Sequence, residues 1–112
     1  MEVSEQEVTA IDRLCQQIGM GRTVKVLQFS LPHIIAFESE LCLSLQRQDI
    51  KTAARCAHKA ISSVRAYGTP RLENQLRQVM EGRVHQPHFN DDLSAEFALV
   101  IGSIEAWLQE YA

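Results

Sequence analysis

The sequence has no surplus of positive charge: 11 Lys and Arg stand against 14 Asp and Glu, for a formal net charge of −3. That balance gives no general affinity for phosphate backbones and sets nucleic acid aside as a partner. Cysteine is sparse. Cys15, Cys42 and Cys56 are odd in number, far apart and set among apolar or helical residues. This excludes the disulfide framework of a small secreted domain and points to reduced thiols in a cytoplasmic protein. No run approaches the roughly 18 apolar residues that a membrane span requires. The start, Met1-Glu2-Val3-Ser4-Glu5, is acidic and lacks the apolar stretch of a signal peptide. Glycine and proline, at 5 and 3 residues, are too few for a linker or a fibrous chain, and 46% hydrophobic residues suit a globular one. Phosphate-binding glycine loops, dinucleotide fingerprints, nucleophile elbows and kinase motifs are all missing. No segment alternates as a strand would, and there is no internal repeat. The expectation is a single domain over 1–112, cytoplasmic, monomeric and not an enzyme that binds ATP.

What is present is helical periodicity. Val8, Ile11, Leu14 and Ile18 recur at three- and four-residue steps, predicting a short helix over 4–18 with Ser4 as its cap and a turn at Gly19-Met20-Gly21. Val24, Leu27, Leu31, Ile34, Leu41 and Leu45 predict a long helix over 22–48. Pro32 is expected to bend or divide it near Gln28. Ile35 and Cys42 widen the stripe, and Phe29, Phe37 and Leu43 lie off it, so this helix is expected to be covered on two sides. Asp49 caps a third helix over 50–67, with Ile50, Ala53, Ala57, Ala60, Val64 and Tyr67 on its core side. Gly68 ends it where a left-handed residue is commonly needed. Thr69 and Pro70 then open a fourth helix, whose buried face is Leu72, Leu76, Val79 and Met80 and which Gly82 closes. A loop over 83–91 leads to a fifth helix starting near Asp91 or Asp92. Its core side is Phe97, Val100, Ile101, Ile104, Leu108 and Tyr111, with Trp107 at one edge. Short connections between these segments predict an all-α fold, an antiparallel four-helix bundle with an additional short N-terminal helix.

The third helix carries the one constellation with chemistry. At about 100° per residue from Ile50, its core residues fall between about 260° and 20°. His58 falls near 80°, on the rim of that stripe, with Arg65 near 60°, Lys51 near 100°, Ser62 near 120° and Arg55 near 140°. An imidazole flanked by three cations and a small hydroxyl suits an arriving anionic group. Neutral histidine is a competent nucleophile toward phosphorus, and the cations stabilise a transferred phosphoryl group. An incidental rim histidine would look similar on these residues alone. Other candidates fall away. Cys56 projects roughly 160° from His58 and cannot pair with it as a nucleophile. His85 and His88, with His33 elsewhere, lack the further ligands a zinc site requires.

The stretch Ala57-His58-Lys59-Ala60-Ile61-Ser62-Ser63-Val64-Arg65-Ala66-Tyr67-Gly68-Thr69-Pro70-Arg71-Leu72 resembles the phosphorylation region of histidine-containing phosphotransfer (HPt) domains. That family carries His-x-Leu-Lys-Gly-Ser, a glycine ten residues beyond the histidine, and then the next helix. His58 matches the phosphoacceptor, Ser63 the small residue five positions on, Gly68 the turn glycine, and Arg71-Leu72 the basic-aliphatic pair after the turn. In length and histidine position the chain is most similar to free-standing quorum-sensing-type phosphorelay proteins. It departs from the family at Ala60 for leucine, Ile61 for lysine, Ser62 for glycine, and Met80 where a glutamine is common.

The resemblance implies a four-helix bundle with an extra N-terminal helix and a phosphocarrier role in a multistep two-component relay. His58 would accept a phosphoryl group through Nε2 from a receiver-domain aspartate and pass it to another receiver. Partners would be the receivers of hybrid sensor kinases and response regulators. Mg²⁺ would belong to the receiver, with no cofactor on this chain. Arg65, Arg55 and Lys51 would supply the charge that Ile61 does not, and Phe37, Leu41, Ile61 and Ser62 would form the docking surface. The alternative is a degenerate HPt-like module that docks a receiver or kinase without being phosphorylated.

Overall fold

The structure is a computed structural model that describes residues 9–112. Those residues fold into five helices, α1 (Ala10–Ile18), α2 (Met20–Gln46), α3 (Ile50–Tyr67), α4 (Pro70–Met80) and α5 (Phe89–Tyr111). The expected Ser4 cap and the contribution of Val8 lie outside the described residues. Within them the first helix begins at Ala10, where Thr9 caps it. The Thr9 hydroxyl accepts from the Asp12 N–H at 3.1 Å, and the Thr9 N–H donates to the Asp12 carboxylate at 3.3 Å. This reciprocal pair satisfies two donors that the helix start would otherwise leave unmatched.

The turn between α1 and α2 is shorter than expected. Gly19 alone, at φ +87°, makes the break, and Met20 and Gly21 already belong to α2. One glycine at positive φ makes the break between the two helices, so the second glycine is not needed for the turn. Helix α2 also continues through Pro32 as one element rather than dividing near Gln28.

Helix α2 ends at a residue that is not glycine. Gln48 takes φ +60°, its N–H donates to Leu45 O at 3.1 Å, and the Asp49 N–H donates to Ser44 O at 2.8 Å. The end of α4 repeats the arrangement with Gly82 at φ +73°, Gly82 N–H to Val79 O at 3.1 Å and Arg83 N–H to Gln78 O at 2.8 Å. Both ends close the last helical carbonyls with a left-handed residue. Asp49 then caps α3 by accepting from the Thr52 N–H at 3.2 Å.

Helices α2 and α4 each pack against both α3 and α5, while α1 lies against α2 and α3. The core is filled by Leu27, Ile34 and Leu41 of α2, Ala53, Ala57, Ala60 and Val64 of α3, Leu72, Leu76 and Val79 of α4, and Leu93, Phe97, Val100 and Ile104 of α5. The small residues of α3 let its neighbours approach closely, and α3 and α4 form the most extensively packed pair.

Several expected core positions face solvent. Ile50, Met80 and Tyr111 are exposed, each near the end of its helix where no neighbour covers the stripe. Phe29 is 72% exposed and Ile35 and Leu43 are also exposed, so α2 is covered on one broad face and not on two. Helix α5 starts at Phe89, two residues before Asp91, because the buried Phe89 ring anchors its first turn in the core. No described helix is long and apolar enough to cross a membrane.

Candidate functional site

His58 sits in the third turn of α3, an unbroken helix between the Asp49 cap and Gly68. Its side chain is exposed, as are those of Lys51, Arg55, Lys59, Ser62 and Arg65. The opposite side of the same helix is packed against α2. There the buried Cys56 thiol has two acceptors for its one proton, the Glu40 carboxylate at 3.6 Å and Phe37 O at 3.8 Å. Burial first, and then the Glu40 charge, push that thiol up to about 12, so it is held as the inert protonated form. Cys56 and His58 therefore serve opposite faces of α3, which removes a cysteine–histidine pair on geometric grounds.

The strip beside His58 is charged but not free of carboxylates. Arg55 donates to the Thr52 hydroxyl at 3.4 Å, and Ser62 donates to Lys59 O at 3.3 Å. Arg65 reaches across to α4, where its Nε lies 3.2 Å from Glu73 Oε2. The same Glu73 oxygen accepts from Arg77 Nη2 at 2.7 Å. The two guanidinium groups hold the Glu73 carboxyl below the usual carboxylate range, Arg77 contributing most and Arg65 next. Glu73 and Arg77 were not marked by the periodicity of α3, because they come from the next helix. The signal for them was the four-residue spacing of an acid and a base on α4, coupled to the short Gly68-Thr69 connection.

Two of the residues expected to dock a partner are corrected by their burial. Leu41 is fully buried and Ile61 is only 8% exposed, so both serve the core and present no side chain to a visitor. Phe37 is half-buried against the core, and Ser62 alone of that group is exposed. At about 100° per residue from Ile50, Ile61 falls near 20°, at the edge of the core stripe and inside it, and it is buried with Ala57, Ala60 and Val64.

Gly68 also differs from expectation. It is extended, at φ −97° and ψ −168°, and not left-handed. What requires glycine is space. Its N–H donates to Val64 O at 2.6 Å, and a Cβ would stand 2.7 Å from Val64 Cγ1 and 2.8 Å from Val64 O. The next residue fixes α4 on α5: the Thr69 hydroxyl accepts from the Leu72 N–H at 3.1 Å and donates to Glu96 Oε2 at 2.6 Å.

His85 and His88 are exposed in the loop before α5. Among the described residues no group of three or more His, Cys, Asp and Glu is placed to hold a metal ion.

No match is found among protein-family models, curated proteins or solved structures. The functional reading therefore rests on the residues themselves.

Proposed function

We propose that the chain is a histidine phosphocarrier of the HPt type, its five helices forming an antiparallel four-helix bundle in which α2–α5 make the ring and α1 is the added N-terminal helix. The carrying observation is the exposed His58, mid-helix on a strip with Lys51, Arg55 and Arg65. The aspartyl phosphate of a receiver domain docks over α3. The lone pair of a His58 imidazole nitrogen forms the N–P bond as the acyl-phosphate P–O bond breaks and the aspartate leaves as carboxylate. The phosphoimidazole then gives the group to a second receiver's aspartate by the reverse step. Lys51 and Arg55 on the same strip offset the charge of the transferring group, while Arg65 is held by Glu73. Mg²⁺ stays with the receiver, and this chain supplies no cofactor.

Exposure supports the reading in a second way. A structural histidine is usually tied to a core partner, whereas this one stands clear of the core on the surface where another protein's active site has to arrive. Incubating the protein with a phosphorylated receiver is expected to give an acid-labile, base-stable phosphoprotein that His58→Gln abolishes. A His58→Gln protein labelled like wild type would refute the assignment.

A further inference from the structure

Two arginines share one carboxylate oxygen in the groove between α3 and α4, and only one of them belongs to the histidine's own helix. Arg65 Nε and Arg77 Nη2 lie 3.2 Å and 2.7 Å from Glu73 Oε2. The contact also defines how the two helices line up. Across the two-residue Gly68-Thr69 connection α3 and α4 are the most extensively packed pair of helices, which has α4 run back along α3, both helices leading away from the turn below the Arg65–Glu73 level. At about 1.5 Å per residue, His58 lies about 10.5 Å below that level and Arg77 about 6 Å below it. The axial offset between them is thus about 4.5 Å, less than one helical turn.

The angular positions agree with the axial ones. Arg65 and His58 lie about 20° apart around α3, while Glu73, Arg77 and Met80 share a sector of about 60° on α4. Glu73 joins the two strips, and Met80, level with His58, is exposed. Arg77 is level with Ile61, the nearly buried apolar residue one turn from His58. At that level α3 offers no cation of its own, and α4 does.

We infer that Arg77 is the residue that meets the phosphoryl group on His58, and that Glu73 holds its guanidinium aside until that group arrives. This rests on the phosphocarrier reading above. The exchange is easy in energetic terms. An exposed arginine–glutamate pair is worth little in water, whereas a guanidinium binds a phosphoryl group through paired, charge-assisted hydrogen bonds. Glu73 is not abandoned when Arg77 turns, because Arg65 remains on the same carboxylate. The arrangement keeps a cation from another helix ready without leaving a lone charge in the resting protein.

Phosphoramidate tests this without a receiver, since it needs no docking surface. The imidazole lone pair forms the N–P bond as the P–N bond of the N-protonated donor breaks, the donor nitrogen leaves with its three protons as ammonia, and the other ring N–H stays in place. Phosphohistidine formation and hydrolysis are followed by ³¹P NMR on wild type, R77Q, R77K and E73Q, with circular dichroism to verify that each is folded. R77Q is expected to form phosphohistidine about tenfold more slowly, the loss of one charge-assisted contact, and to hydrolyse it faster. R77K is expected to recover part of the rate. E73Q is expected to react about two- to fivefold faster, the range that releasing an exposed ion pair allows. Wild-type formation and hydrolysis rates in R77Q would overturn the inference while leaving the phosphocarrier reading intact. Failure of wild type itself to be labelled on His58 would overturn both.

Discussion

The Thr69 hydroxyl joins two helices at one atom: it accepts from the Leu72 N–H at 3.1 Å and donates to Glu96 Oε2 at 2.6 Å. It caps α4 and ties that cap to α5, with Arg71 Nε standing 3.9 Å from the other Glu96 oxygen. Glu96 is a buried polar residue in the core face of α5, so its carboxylate needs these partners. Thr69→Val keeps the shape and removes both hydrogen bonds. The expected cost is about 2 kcal/mol, from a lost cap and a buried acceptor left short of a donor. Thr69→Ser is expected to stay close to wild type. Urea unfolding of the two variants checks the pair.

Glycine has opposite meanings at two positions. Gly68→Ala puts a methyl 2.7 Å from Val64 Cγ1 and 2.8 Å from Val64 O. Backbone cannot yield as a side-chain tip can, and a loss of about 2 kcal/mol is expected. Gly102 lies inside α5 with nothing within 4 Å of an added Cβ. There Gly102→Ala is expected to stabilise by about 0.5–1 kcal/mol through helix propensity. Thermal unfolding of the two alanine variants should therefore move in opposite directions.

Gln48 closes α2 at φ +60° in the role that Gly82 fills for α4. A side chain in the left-handed region costs about 1–2 kcal/mol, so Gln48→Gly is expected to gain about 1 kcal/mol, less the extra entropy of the unfolded glycine. An unchanged or lower denaturation midpoint would show that the Gln48 side chain stabilises the fold by a contact that glycine loses.

Glu73 sets a pH dependence with a defined sign. Its folded-state carboxyl is held low by Arg77 and Arg65, so the stabilisation is present above the ordinary glutamate range. It is lost as pH falls through the folded value. Wild type is therefore expected to exceed Glu73→Gln in stability at neutral pH, the difference shrinking on acidification. Because Arg77 is exposed and Glu73 partly so, the difference should also shrink in high salt. Urea titrations of both proteins from neutral to acidic pH measure it.

The hairpin that carries His58 was the most legible part of the sequence, and the reason is local. Asp49, Gly68, Thr69 and Pro70 act through their own backbone or first-turn hydrogen bonds, so their meaning does not wait on the tertiary fold. Even there the reason for Gly68 was hidden, since its close approach to Val64 depends on the extended conformation the backbone takes at the turn. Helix α2 was less legible. It has apolar residues on most of its circumference, and only the positions of α3 and α5 decide that Leu41 is buried while Phe29 and Leu43 are not. The exposure of His58 followed from its angle on α3. The Arg65–Glu73–Arg77 cluster did not, because one periodic helix says nothing about what its neighbour brings to the same groove.

The central claim is that His58 takes and returns a phosphoryl group. The direct measurement incubates wild type with phosphorylated receiver domains and maps the modified residue by mass spectrometry under alkaline handling, which preserves phosphohistidine. Phosphate on His58, removed again when a second unphosphorylated receiver is added, is the predicted result. Phosphate on another residue, or none from any receiver that binds the protein, would contradict it.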